Sequence, residues 1–457
     1  VGQLGDGTTQ GSDTPTSASG LTGVTALAGG KRHSLALLSD GTVMAWGEND
    51  WGQLGDGTHT GPDICYAAYA SASGDTVACS TTPIPVEGFS GVVAIAAAAQ
   101  DSYALLSNGT VMAWGDNEVG QLGQGTTTGP GHCYKETEPT QCSTRPVAVG
   151  DLSDVTAIAA GQNYALALLS NGAVMSWGSN GQGELGNGTS VSFTTLPTAV
   201  KDLDGVTAIA ASFDTSLALK SDGTVTAWGQ NSFGELGDGG LTQSDVPVAV
   251  RGLHGVSAIA AGAQDGYALL NGGSVMAWGD AGDGQLGNGT ERGSTEKGVS
   301  ECFPGNFCST APVPVTGLEH VTKIAAGSES GMALRSDGSV MAWGHNWGGQ
   351  LGDGSTESSD LPVLVSGLSQ VTAIAGGSRF GLAYGTLAEP SPVKPAPKPL
   401  TRAEKLARAL KQCKRKPKGK RAACERAARK RFASPRKQNG RDLTPPVASS
   451  AESGAIA

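Results

Sequence analysis

Apolar residues along the chain come in runs of about six separated by turn residues, too short for helices and spaced for strands. Residues 24–28 are small and apolar, fit for a crowded inner strand. Residues 33–38 and 42–46 alternate with a period of two. Asp40-Gly41 between them is a two-residue hairpin turn in which glycine supplies the positive φ. The same turn recurs as Asn108-Gly109, Asn171-Gly172, Asp222-Gly223, Gly272-Gly273 and Asp337-Gly338. A Pro-containing extended stretch follows, as at Pro83-Ile84-Pro85-Val86. It suits an edge strand, because Pro cannot donate to a ladder.

This unit repeats, and the repeat decides the fold. Gln-Leu-Gly or Glu-Leu-Gly occurs seven times, at Leu4, Leu54, Leu122, Leu185, Leu236, Leu286 and Leu351, with spacings of 50, 68, 63, 51, 50 and 65 residues. The unit is therefore near 50 residues, and three copies carry insertions. The Pro-containing strand, near Pro15, Pro83, Pro146, Pro197, Pro247, Pro312 and Pro362, occurs seven times. So do the small apolar strand, at Val24, Val92, Val155, Val206, Val256, Val321 and Val371, and its hairpin partner. The Trp-Gly strand occurs only six times, at Trp46, Trp114, Trp177, Trp228, Trp278 and Trp343. These tryptophans are expected to be structural, one large aromatic filling the gap between neighbouring sheets, rather than ligand-stacking or light-sensing.

The fold expected is all-β: a seven-bladed propeller of about 50-residue repeats over residues 1–386, closed by strands from both chain ends. Val1-Gly2-Gln3-Leu4-Gly5 matches Val119-Gly120-Gln121-Leu122-Gly123, which lies mid-repeat. The missing Trp-Gly strand and a secretory signal are therefore expected upstream of Val1, and the absence of a visible signal carries no meaning.

Two motifs, residues 30–37 with Gly-x-x-His-Ser-Leu-Ala-Leu and residues 46–55 with Trp-Gly-x-Asn-x-x-Gly-Gln-Leu-Gly, resemble the regulator of chromosome condensation repeat. The resemblance covers residues 1–386 and implies a seven-bladed propeller but no single function. Members include a nucleotide exchange factor, domains appended to ubiquitin ligases, a plant UV-B receptor and secreted bacterial inhibitors of β-lactamase. No ligase domain follows the propeller here, and the Gly-Trp-Arg-His-Thr type motif of the UV-B receptor is absent. A secreted bacterial, actinobacterial-type member fits best.

The cysteines give the reason. All eight fall into local pairs, Cys65/Cys79, Cys133/Cys142, Cys302/Cys308 and Cys413/Cys424, and the first three pairs occupy the three insertions. Each insertion ends alike, with Cys-Ser-Thr at Cys79, Cys142 and Cys308, and all six cysteines are expected in loops, outside the core strands. An even count in loops argues for disulfides and an oxidising compartment. Zinc is the rival, and two cysteines per site without paired histidines serve it poorly.

Charge divides the chain. Residues 1–386 carry 12 Lys/Arg against 36 Asp/Glu, and residues 387–457 carry 19 against 5. An acidic body with a basic tail suggests an anionic partner for the tail. Residues 387–400 read as a Pro-rich, semi-rigid linker. Thr401 and Glu404 form a capping box, and Leu406, Leu410 and Cys413 share one helical face. A second helix is expected over residues 420–432, with Cys424, Ala428 and Phe432 near one face. A Cys413–Cys424 bridge would staple residues 401–433 into a basic helical hairpin. Residues 434–457 are expected to be disordered. The tail resembles basic C-terminal segments of secreted actinobacterial proteins. Attachment to an anionic envelope polymer or lipid headgroup is one reading, and a merely soluble appendage, or one folded onto the acidic body, is the other. Nucleic acid fits poorly as a partner for an extracellular chain.

Compared with one another, the repeats vary most at three adjacent positions before the second strand. These are Lys31-Arg32-His33, Ala99-Gln100-Asp101, Gln162-Asn163-Tyr164, Phe213-Asp214-Thr215, Ala263-Gln264-Asp265, Ser328-Glu329-Ser330 and Ser378-Arg379-Phe380. By symmetry they form a ring around the channel mouth, where a fixed scaffold presents a varied recognition surface. Drift of solvent-exposed turns is the bland alternative. Trp51 and Trp347, in the loop after the structural Trp, are candidate interface anchors or blade-edge covers. The six histidines are scattered, no dense Asp-x-Asp loop suggests calcium, and no phosphate loop is present, so neither catalysis nor a metal or cofactor is expected.

The function expected is a non-catalytic, secreted or cell-surface binding module, acting as a monomer. It recognises a protein or envelope polymer through one propeller face, with the basic tail for attachment and no transmembrane segment. The alternatives are a secreted inhibitor of an extracellular enzyme, similar to the β-lactamase-inhibiting propellers, and an exchange factor for a small GTPase.

Overall fold

The second strand of each repeat is apolar on both faces, so it is stable only when sheets stack on both sides of it. The computed structural model shows that stacking. It describes residues 1–66, 76–131, 133, 141–290, 293–387, 410–411, 413 and 418–431. The chain divides into two units, Val1–Glu389 and Pro390–Ala457.

In the first blade the inner strand Val24–Gly29, the second strand His33–Leu38, the third strand Val43–Glu48 and the outer strand Thr76–Pro85 form an antiparallel meander. Four further blades are four-stranded with the same order. The first and fifth blades gain an extra strand, Asp63–Tyr66 and Ser300–Phe303, each formed by an insertion and paired to the outer strand.

The loop placement expected for the insertion cysteines is corrected by these strands. Cys79, Cys142 and Cys308 are fully buried members of the outer strands Thr76–Pro85, Cys142–Ala148 and Asn306–Pro314. They stand opposite Glu48, Asp116 and Asp280 of the third strands. Cys65 and Cys302 lie in the two extra strands, and of the six only Cys133 sits in a loop. The reason is that each insertion must return to its sheet. Its closing Cys-Ser-Thr segment pairs with the residues after Trp and so begins the outer ladder. Each disulfide therefore ties the insertion to a hydrogen-bonded blade edge.

Blade geometry follows from a few repeated contacts. The inner strands are Ala- and Gly-rich because they crowd the axis: a Cβ on Gly29 would lie 2.6 Å from the Gly376 carbonyl oxygen. Every third strand carries a register shift at its Trp-Gly pair. The Gly there has φ near 100°, as at Gly47 with φ 104°. A side chain at Gly47 would collide with the Arg32 carbonyl, so the bulge requires glycine. Each of the six Trp side chains is essentially fully buried, and the core clusters lie between blades. Trp177 of the third blade, for example, packs on Tyr103, Leu105, Val111 and Leu122 of the second.

Among the described residues six complete blades form, not seven. The seventh sector is a two-stranded sheet, Leu368–Gly376 with Gly381–Leu387. Residues 1–23, all described, contain no strand, so closure by strands from both chain ends is not seen among the described residues. The reason is that a fourth strand needs a third to pair with, and no seventh Trp-Gly segment supplies one. The ring still closes at its inner edge, where the Ser378 amide donates to the Gly30 carbonyl at 3.1 Å.

In the second unit a helix runs over Lys418–Arg431, two residues earlier at its start than the sequence pattern suggests. Leu410, Lys411 and Cys413 are helical, and Cys413 is bonded to Cys424. The rest of the expected first arm, including Thr401, Glu404 and Leu406, lies outside the described residues, as do Phe432, residues 388–400 of the linker and residues 434–457. No helix among the described residues is long and apolar enough to cross a membrane.

Candidate functional site

The turns between inner and second strands all emerge on one face, and main-chain bonds tie them into a ring. The Lys31 amide donates to the Ala98 carbonyl, Ala99 to Gln162, Gln162 to Phe213 and Ala263 to Ser328, at 2.8–3.2 Å. The first residues of the variable triplets surround the axis, where Lys31, Ala99, Gln162, Phe213, Ser328 and Ser378 line a narrow cavity of about 110 Å³. Phe213 holds a positive φ of 38°.

The third residues do something else. His33, Asp101, Tyr164, Thr215, Asp265, Ser330 and Phe380 are all buried between blades. His33 Nε2 bonds the Ser102 hydroxyl at 2.9 Å, and burial pushes the imidazole pKa down to about 4, so it is neutral. The Tyr103 and Tyr267 hydroxyls donate to the carboxyls of Asp101 and Asp265 at 2.5 Å. Burial raises both carboxyls well above the ordinary range. The Tyr164 hydroxyl donates to the Thr215 carbonyl at 2.8 Å. The candidates His33, Asp101, Tyr164, Asp265 and Phe380 are therefore inter-blade packing residues, which corrects their assignment to an exposed ring. His33 and Tyr164 reach a serine of the next blade, Ser102 and Ser216, whereas Asp101 and Asp265 accept from a tyrosine of their own strand.

The second residues, Arg32, Gln100, Asn163, Asp214, Gln264, Glu329 and Arg379, stay accessible to varying degrees. The backbone carbonyls of the first six accept the amide of the residue after Trp-Gly, as from Glu48 to Arg32 and from Asp280 to Gln264. This fixes the turn beside the loop after the third strand, and that loop brings in carboxylates the triplets alone do not reveal. Glu184, Asp214, Glu235, Asp265, Asp280 and Glu329 form one electrostatically coupled arc across the third to sixth blades. Burial, then Glu184, lifts Asp214 to about 6. Burial lifts Glu235 to about 7 and raises Asp280. Asp116 of the second blade, with Gln121 Nε2 donating to it at 2.9 Å, reaches about 7 for the same reason. Their signal was present in the sequence as Asp or Glu one residue after Trp-Gly, or in place of Gln before Leu-Gly.

Cations gather on the other side of the face. Lys31 and Arg379 lie by the ring seam, and Arg32 pairs with Glu48 at 2.8 Å. Trp347 is 69% exposed and stands 4.9 Å from the His345 ring, whereas Trp51 is half-buried. The four disulfides, Cys65–Cys79, Cys133–Cys142, Cys302–Cys308 and Cys413–Cys424, join the pairs read from the sequence. In the first, second and fifth blades the buried cysteine of the outer strand, Cys79, Cys142 or Cys308, lies beside the acidic residue after Trp-Gly. The staples thus brace the same strand ends that carry Glu48, Asp116 and Asp280.

The radially stacked four-stranded sheets define the class: this is a β-propeller. The chain matches the RCC1-like domain over residues 1–383 and belongs to that family. It is 30% identical over 284 residues to the human E3 ubiquitin-protein ligase HERC2, a match that spans 52% of this chain and 6% of the ligase. Among solved structures, Prp20p of Saccharomyces cerevisiae is 22% identical with a TM-score of 0.67, covering 85% of this chain and 90% of that one. Human WBSCR16 is 24% identical with a TM-score of 0.64, covering 79% and 86%. The two structures share the fold.

Proposed function

We propose that the chain is a non-catalytic, secreted or cell-surface binding module that holds a protein partner through its axial loop face. The observation that carries this reading is the set of part-exposed carboxyl groups on the loop face, Asp214, Asp280 and Glu329, which favours a partner presenting a basic segment. Accessible members of the variable ring, Lys31, Arg32, Gln100, Asn163, Phe213, Asp214, Gln264, Glu329 and Arg379, would contribute contacts, with Trp347 as an aromatic anchor. Prp20p is a propeller with binding properties to Gsp1p and histones, which supports a protein partner for a propeller of this kind. Four disulfides are compatible with an extracellular address and weigh against an exchange factor working in a reducing compartment. The basic tail, residues 387–457, supplies attachment to an anionic envelope polymer.

The test is capture from culture supernatant and isolated cell wall. The native chain should retain a protein partner that an Asp214→Asn, Asp280→Asn, Glu329→Gln variant loses. Removing residues 388–457 should abolish wall retention without affecting partner capture. Equal capture by the carboxylate variant would reject the arc. A stoichiometric enzyme partner that loses activity on capture would make the protein an inhibitor.

A further inference from the structure

The junction of the fourth and fifth blades gathers acid without a matching base. Glu235, from the Glu-Leu-Gly segment of the fourth blade, is 1% exposed. Its Oε2 accepts the Phe233 amide at 2.7 Å, while its Oε1 is buried with no hydrogen-bond partner among the described residues. Asp265 Oδ1, in the fifth blade, is likewise buried without a partner. Asp214 and Asp280 stand within electrostatic reach of Glu235, and both are part-exposed. Among the described residues no Lys, Arg or His forms an ion pair with any of these four carboxyls.

An aromatic wall stands beside them. The insertion of the fifth blade closes as a hairpin, in which Ser300–Phe303 pairs with the start of Asn306–Pro314 around Pro304-Gly305. Gly305 takes a φ of 80°, its amide donates to Glu301 Oε1 at 2.7 Å, and the Cys302–Cys308 disulfide joins the two arms. The hairpin springs from the loop face, because Cys308 opposes Asp280 at the end of the third strand Val275–Asp280. At its tip Phe303 is 43% exposed and meets the half-buried Phe233 edge-on, with centroids 6.0 Å apart. Phe233 is thus tied to the hairpin by its ring and to Glu235 by its amide. The turn, the disulfide and the Glu301 bond order Phe303 before any partner arrives, so little entropy remains to oppose binding.

We propose that this junction is a seat for one arginine side chain of the partner's basic segment. The planar guanidinium lies against Phe233 and Phe303, and its fork of N–H groups donates to Asp214 and Asp280. The carboxyls lack a positive partner within the protein, and the incoming side chain supplies it. Glu235 lies too deep to touch the guanidinium and is a positioning residue that holds Phe233 by its amide. Among the described residues no three His, Cys, Asp or Glu side chains are grouped to hold a metal ion, so an organic cation is the fitting charge. The seat rests on the partner-binding function proposed above and names the side chain that such a partner must present.

The test uses the full chain labelled with meta-fluorophenylalanine, read by fluorine NMR at about pH 8, above the pKa of about 6 at Asp214. The Phe233 and Phe303 resonances are identified by their loss in Phe233→Leu and Phe303→Leu. Nα-acetylarginine methylamide should shift both saturably, with a Kd on the order of 1–10 mM. The neutral citrulline analogue should bind at least about tenfold more weakly. Asp214→Asn and Asp280→Asn, both at part-exposed positions, should each weaken arginine binding by about threefold. Absence of saturation up to about 50 mM would overturn the seat. So would equal shifts with citrulline, arginine shifts that leave Phe303 unmoved, or arginine binding that neither Asn variant weakens. Failure of the arginine probe with partner capture intact rejects the seat and leaves the partner-binding function standing. Arginine binding by a chain that captures no protein supports the seat and rejects that function.

Discussion

The indole N–H of Trp177 donates to the backbone carbonyl of Gln121, 2.8 Å away in the preceding blade. The ring also meets Tyr103 edge-on, with centroids 6.2 Å apart. One side chain therefore fills the junction and satisfies a buried main-chain acceptor. Trp177→Ala should destabilise the propeller by about 3–5 kcal/mol, read as a lowered urea midpoint. A loss under about 1 kcal/mol would mean that the junction collapses around the missing ring.

Trp347 is the contrasting case. It is exposed, and its one described ring contact is with His345. Trp347→Ala should leave the urea midpoint unchanged, within about 0.5 kcal/mol, while weakening partner capture. Intact capture would remove Trp347 from the binding face.

Glu235 carries a pH signature. It stands before Leu-Gly, where five of the seven copies have Gln, and burial lifts its pKa from 4.5 to about 7. The folded chain holds this proton where the unfolded chain has already lost it. Stability therefore falls as pH rises from about 4.5 to about 7 and levels off above that. Glu235→Gln should match the native protein at pH 4 and exceed it at pH 7.5 by on the order of 2 kcal/mol. Parallel stability curves over that range would show that Glu235 titrates normally.

Cys65 and Cys79 are fully buried and close a loop with a sequence separation of 14. Replacing both with Ala should cost roughly 2–3 kcal/mol through the freedom returned to the unfolded chain. Thermal melting under non-reducing conditions, beside a thiol count on the unfolded native protein, checks both the bond and its effect. Eight free thiols in the native protein would remove the case for an oxidising compartment.

The meander, the inter-blade role of the six tryptophans and the cysteine pairing were legible in the sequence because each rests on local spacing. The strand position of Cys142 and Cys308 was not, since their ladder partners, Asp116 and Asp280, lie across long insertions. Nor was the blade count. Six Trp-Gly segments could be counted, but whether a seventh sector forms sheet without its third strand depends on whether Leu368–Gly376 and Gly381–Leu387 pair on their own, as they do. The binding ring was half legible. Variation among repeats marks a position without saying which way it points, so His33 and Tyr164, which adapt to Ser102 and Ser216 across a junction, looked like surface. Period two offered a hint: His33, Leu35 and Leu37 share a face, and all are buried.

A torus has no natural starting point for failure, but this one has a seam. Between the sixth and first blades, Trp46 packs on Leu382 and Tyr384, while the Leu351 cluster has no aromatic ring to lock it. Thermal opening should begin at this sector and spread both ways around the circle. Under limited proteolysis, cuts should therefore fall first within residues 1–20 and 381–387, leaving the second to fifth blades as the last resistant fragment.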